Sequence, residues 1–280
     1  MDGLISRLPE LPHVVWTLIL IPIFISLGAL VGLVVQRRVG GRWALPVAMM
    51  LGFAIATASS NLVADAQARD REAKTLVGEL AGEEPLTTIL RLDPAARGVL
   101  EKRFAAVFRT TRGIERGPAA RRVLAEFVGS KVAESLETAG ASELHRNFRA
   151  ELAMLRALAG RPETCVDFYL GKGLPSFEGV DRKVLAELMA SRAGLIESAA
   201  LRPQRLAEPV SGERFGELLK KGAAVSGQDF AVLADLTRIV DLPAERACHV
   251  AIVYETVVSA LEPAELADLS KSAALMAKPR

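Results

Sequence analysis

The sequence predicts an all-α protein: a two-helix transmembrane hairpin followed by an extramembrane domain of about eight to ten short helices. Three observations carry this. Residues 14–36 hold 23 uncharged positions and residues 43–64 hold 22. Each is long enough to cross a hydrocarbon core of ~30 Å as a helix. After residue 65 apolar residues recur at helical spacing between capping and breaking residues, and no strand alternation stands out.

The first two stretches are joined by Arg37-Arg38-Val39-Gly40-Gly41-Arg42, which makes residues 1–64 the expected hairpin. Gly28 and Gly32 in the first stretch, and Ala48, Gly52 and Ala56 in the second, repeat at four-residue spacing. Small residues so placed form a flat stripe for close helix packing. An antiparallel pair would set Gly32 level with Ala48 and Gly28 level with Gly52; the same stripe would also serve dimerisation. Trp16 and Trp43 fall at the stretch ends, where amphipathic rings favour the headgroup zone.

Orientation rests on weaker signals. The loop has three arginines, against Arg7 on one flank and Arg69, Arg71 and Lys74 on the other. Number does not decide, but charge density favours a cytoplasmic loop. Residues 37–66 also follow the grammar of an export signal, with a basic start, an apolar run and small residues. The expected location is an integral membrane protein with two spans and an extracytoplasmic, periplasmic large domain.

Residues 65–280 carry 31 basic and 31 acidic side chains. Such neutrality argues against a nucleic-acid partner, and the 5% aromatic content argues against base stacking. Asp93-Pro94, Gly117-Pro118, Ser142, Pro162, Asp181, Ser211, Ser226, Asp241-Leu242-Pro243 and Pro263 mark expected helix starts. The clearest stripe is Leu144, Phe148, Leu152, Leu155 and Ala159. The most apolar helix follows Pro243, with Ala247, Val250, Ala251, Tyr254, Val257 and Val258 on one face and Cys248, Ile252 and Glu255 beside it. The loop at 171–180 is a possible subdivision.

Cys165 and Cys248 are the two cysteines. They fit one disulfide in an oxidising compartment or two buried thiols in a reducing one; a bond would tie one half of the domain to the other. No zinc spacing, phosphate loop, nucleophile elbow or other catalytic motif occurs, so no cofactor, metal or catalytic residue is expected. His145 reads as a solvated helix position. Residues 91–122 carry a net +6, including Arg109, Arg112, Arg116, Arg121 and Arg122. That cluster would suit an anionic surface, either lipid headgroups or an acidic partner, or else a solvated face with arginine stems lying on apolar surface.

The expected function is a membrane-anchored helical interaction or scaffold domain in an envelope assembly. Its partners would be membrane lipid and a protein or a second copy. The alternative is a membrane-tethered enzyme or small-ligand receptor whose site is assembled from several helices. A deep pocket with converging ionisable groups would favour the second, and a flat apolar patch the first.

Overall fold

The computed structural model describes residues 65–111, 113–172, 179–206 and 208–276. The chain divides into two units, residues 1–75 and 76–280. In the first, the described residues 65–75 are helical, and Arg69 pairs with Asp65 one turn away. The second begins with helical residues 76–80 and continues through nine α-helices among the described residues. These are α1 (Leu86–Leu92), α2 (Ala96–Thr110), α3 (Arg116–Leu136), α4 (Ala141–Leu158) and α5 (Pro162–Tyr169). After them come α6 (Arg182–Leu201), α7 (Gly212–Ser226), α8 (Ala244–Ser259) and α9 (Pro263–Met276). Two 3₁₀ segments, Gly113–Glu115 and Phe230–Asp241, interrupt the series. The described residues are all-helical, in line with the fold class expected for this region.

One expectation is corrected. Among the described residues no helix is long and apolar enough to cross a membrane, which conflicts with an integral membrane protein of two spans. The physical reason is amphipathicity. The three longest helices, α3, α4 and α6, each bury one face and carry charges on the rest, for example Arg146, Arg149 and Arg156 on α4. The hairpin stretches, with Gly28, Gly32, Ala48, Gly52 and Ala56, lie outside the described residues, as does Arg112.

Helix α4 is the hub of the second unit and packs against α6, α8, α9 and α5. Its expected stripe is in place: Leu144, Phe148, Leu152 and Leu155 are buried, joined by Met154 and Leu158. Helix α8 is buried on two sides. Ala247, Cys248, Val250 and Ala251 join Met154, Leu155, Leu158, Cys165 and Leu188 in one apolar cluster. Val253 and Val257 join Ala223 and Leu233 in a second. Apolar area removed from water contributes roughly 25 cal/mol per Å², so these continuous clusters are the main source of stability.

The expected caps hold in part. The Asp181 carboxylate accepts from Lys183 N–H (2.8 Å), and the Ser211 hydroxyl accepts from Arg214 N–H (3.2 Å). Ser226 instead ends α7. Its hydroxyl donates to Gly222 O (2.7 Å), and Gly227 at φ +68° turns the chain. Such a left-handed C-cap favours glycine because there is no Cβ to collide with the carbonyl. The following segment is capped by Asp229, which accepts from Ala231 N–H (2.9 Å). At Asp93-Pro94 the helix begins two residues later, at Ala96, and Asp93 contributes its carbonyl, which accepts from Ala96 N–H (3.0 Å).

Cys165 on α5 and Cys248 on α8 form a disulfide with a Cα separation of 5.6 Å, inside the usual ~4.4–6.8 Å range. It fastens the short helix α5, eight residues long, to the core. His145 is not a solvated residue: it is half-buried, and Nε2 lies 3.2 Å from Ser259 O at the end of α8. The connector after α6 is tied to α9: Lys271 Nζ donates to Gln204 O (2.6 Å), and Ser272 Oγ accepts from Val210 N–H (2.9 Å). Burial holds the Lys271 ammonium below the ordinary lysine range.

Candidate functional site

Helices α1, α3, α5 and α6 do not close completely on one another. They leave an apolar cavity of about 250 Å³. Pro85 and Leu86 at the start of α1 line one side, and Leu124 and Val128 of α3 another. Phe168 of α5 and Leu185, Leu188 and Met189 of α6 complete the wall. The Glu84–Pro85 peptide on its border is cis. Exposed Glu83, Glu84 and Arg121 stand at the mouth.

The helical pattern explains the wall. Leu124 and Val128 are four residues apart, and Leu185, Leu188 and Met189 share the i, i+3, i+4 rhythm, so each set faces one way. Such apolar faces normally interdigitate to a density of about 0.75. Here α5, only eight residues long, brings one large side chain, Phe168, to the wall, and the space is not filled.

One ionisable side chain of the wall is drawn away from solvent. Arg192 of α6 has its guanidinium 5.5 Å from the centroid of the Phe168 ring, a cation–π contact. Its Nη2 donates to Glu151 Oε1 on α4 (3.2 Å), and both side chains are about four-fifths buried. Arg192 Nε is buried and has no acceptor among the described residues. A buried donor left unmade costs about 1–3 kcal/mol, more when it is charged.

Behind Arg192 lies a buried acidic cluster. Glu255 of α8 is buried, and its Oε2 has no hydrogen-bond partner among the described residues. Burial pushes its carboxyl well above the usual carboxylate range, and the charge of Glu151 adds to the shift. Tyr169 and Tyr254 face the same acids, and their hydroxyls are held above the ordinary phenol range, first by burial and then by the negative charges nearby. At neutral pH the cluster therefore holds one compensated pair, Arg192 and Glu151, beside a protonated Glu255.

This gives a pH dependence with a definite sign. The native state binds a proton at Glu255 that the unfolded chain releases above about pH 4.3. Stability is full below that pH and falls as pH rises toward the raised native value, by up to about 1.4 kcal/mol per pH unit. Glu255→Gln removes the titration. In urea unfolding the variant should gain on the parent between pH 5 and pH 8; parallel profiles would show that Glu255 is not protonated in the fold.

Two wider grooves, of about 590 and 600 Å³, flank the start of α4 and the end of α6. Charged groups there are matched within the protein: Arg146 pairs with Glu187 (2.9 Å) and Arg91 with Glu197 (2.7 Å). Gly140 N–H donates to Ser198 Oγ (2.9 Å). Among the described residues no group of three or more His, Cys, Asp or Glu side chains is placed to hold a metal ion.

The basic residues singled out in the sequence fall on α2 and α3. Arg109, Arg121 and Arg122 are exposed; Arg116 is half-buried, its guanidinium 5.7 Å from the Phe108 ring centroid. Arg103 covers Phe127 in the same way at 5.9 Å. Of this group Arg121 reaches the cavity mouth. Sequence reasoning placed Leu124, Val128, Leu185, Leu188, Met189 and Phe168 as core residues and missed the void among them. It also missed Arg192, which nothing local distinguishes from a solvated arginine.

The chain matches no protein-family model, no curated protein and no solved structure.

Proposed function

We propose that residues 76–280 form a binding domain for a small, largely apolar molecule held in the cavity between α1, α3, α5 and α6. The observation that supports this reading is the apolar cavity of about 250 Å³ with one inward ionisable group, Arg192. Ligand sites are usually concave and mostly apolar, with few polar groups that fix orientation. Arg192 stays charged at all ordinary pH and is neither a general acid nor a base, so the wall suits binding better than proton-transfer catalysis. A scaffold role would draw on a contiguous apolar face. The exposed large apolar side chains instead belong to separate elements, such as Val99 on α2, Ile114 in the first 3₁₀ turn, Val225 on α7 and Met276 on α9.

An apolar cavity of even ~150 Å³ stays dry and takes up benzene or xenon. Benzene at ten times its dissociation constant should add about 1.4 kcal/mol of stability. For a domain of about 200 residues that is a rise of roughly 3–6 °C in unfolding midpoint. Ala125→Phe places a ring in the cavity from α3 and should abolish the rise. An equal rise in parent and variant would place benzene elsewhere and refute the reading.

A further inference from the structure

The chemistry of the ligand can be narrowed, on the reading that the cavity is a binding site. A methylene group fills about the volume of a water molecule, ~30 Å³, so about 250 Å³ holds roughly eight to ten non-hydrogen atoms. The wall is apolar except at Arg192, whose Nε is a buried donor without an acceptor among the described residues. A ligand oxygen would satisfy it. The charges on the page favour a neutral oxygen over an ionised one. Glu151 already offsets Arg192 at 3.2 Å, and Glu83 and Glu84 at the mouth outnumber Arg121. An entering carboxylate would meet three acids against two arginines and would lose its hydration shell in an apolar space.

We propose that the ligand is a neutral, mainly aliphatic molecule of about eight to ten heavy atoms carrying one carbonyl oxygen, which accepts a hydrogen bond from Arg192 Nε. The aliphatic part lies along Leu188, Met189 and Val128. The carbonyl end lies at Arg192, beside Phe168, where the guanidinium is held in place by the ring and by Glu151. That hold matters, because a donor fixed before binding loses little freedom when the ligand arrives.

The test uses the full-length chain with carbon-13 methyl-labelled methionine, following the Met189 methyl signal as octanamide or octanoate is added. Octanamide has ten heavy atoms and a neutral carbonyl; octanoate has the same chain and an ionised head. The expected result is a saturable shift of the Met189 signal with octanamide and at least tenfold weaker binding of octanoate. Arg192→Lys keeps the charge and the fold but lacks Nε. It should weaken octanamide by about tenfold to a hundredfold, the range for a hydrogen bond to a charged group. Benzene binding should be unchanged in that variant.

Octanoate binding as tightly as octanamide would overturn the neutral-carbonyl assignment and leave the cavity reading standing. Octanamide binding unaffected by Arg192→Lys would overturn the role of Nε. Benzene binding without octanamide binding would overturn this inference alone. Failure of both probes to shift Met189 would overturn the inference together with the proposed function.

Discussion

Replacing Cys165 and Cys248 together by serine is expected to lower the unfolding free energy by about 4–5 kcal/mol. The bond spans 83 positions, and the chain-entropy model gives a stabilisation of that order for closing so long a loop. Typical domains have only ~5–15 kcal/mol in total, so the loss is a large share. The local consequence follows from α5. Its eight residues are too few to be a stable helix in water alone, and Cys165 is its one fully buried side chain. Freed from α8, α5 would no longer hold Phe168 against the cavity. The double variant should therefore lose benzene binding in parallel with stability. Urea unfolding of the oxidised parent and the variant measures the first effect. A difference below about 1 kcal/mol would mean that core packing, and not the covalent link, positions α5.

The second large effect is at Gly222. It lies where α7 crosses α8, and a Cβ there would come within 2.4 Å of Val257 O and 3.1 Å of its carbonyl carbon. These are backbone atoms of α8, so no rotamer change relieves the overlap and the helices must part. Overpacking of this kind costs about 1–3 kcal/mol, sometimes more. Gly216, on the same helix, has nothing within 4 Å of its would-be Cβ. There alanine brings only its better helix propensity, about 0.8–1 kcal/mol. Gly222→Ala should therefore destabilise by about 2 kcal/mol, while Gly216→Ala stabilises by up to about 1. The opposite signs on one helix separate close packing from propensity. If both variants stabilise, α7 and α8 do not approach as closely as described.

These two positions also show where sequence reading ends. The stripes of α4 and α8 are legible because 3.6-residue periodicity is local, and Leu144, Leu155, Val250 and Val257 are buried as their spacing implies. The cysteines were legible as a possible pair, since both follow a helix-starting proline. Gly222 was not, because its constraint comes from Val257, 35 positions away in the chain. Ser226 looked like a helix start because serine is a good N-cap, yet Gly227 next to it is the stronger signal and ends α7. Helix α1, seven residues after Pro85, is too short to show a period.

The candidate site was legible residue by residue and hidden as a whole. Leu124, Val128, Leu185, Leu188, Met189 and Phe168 read as core positions, and all of them face the cavity. Whether facing apolar side chains interlock or leave a gap is decided by their mutual placement, which no single helix encodes. Glu255 was placed beside Cys248 on α8, and the burial that neutralises it comes from packing with α4 and α5. The membrane expectation rested on stretches outside the described residues, whereas the helices that are described are amphipathic.

The most direct test of the central claim is a crystal structure of the protein under xenon pressure. The expected result is xenon density between α1, α3, α5 and α6, in van der Waals contact with Val128, Leu188 and Phe168. Those side chains closed on one another, or ordered water filling the space instead of xenon, would contradict an apolar binding cavity.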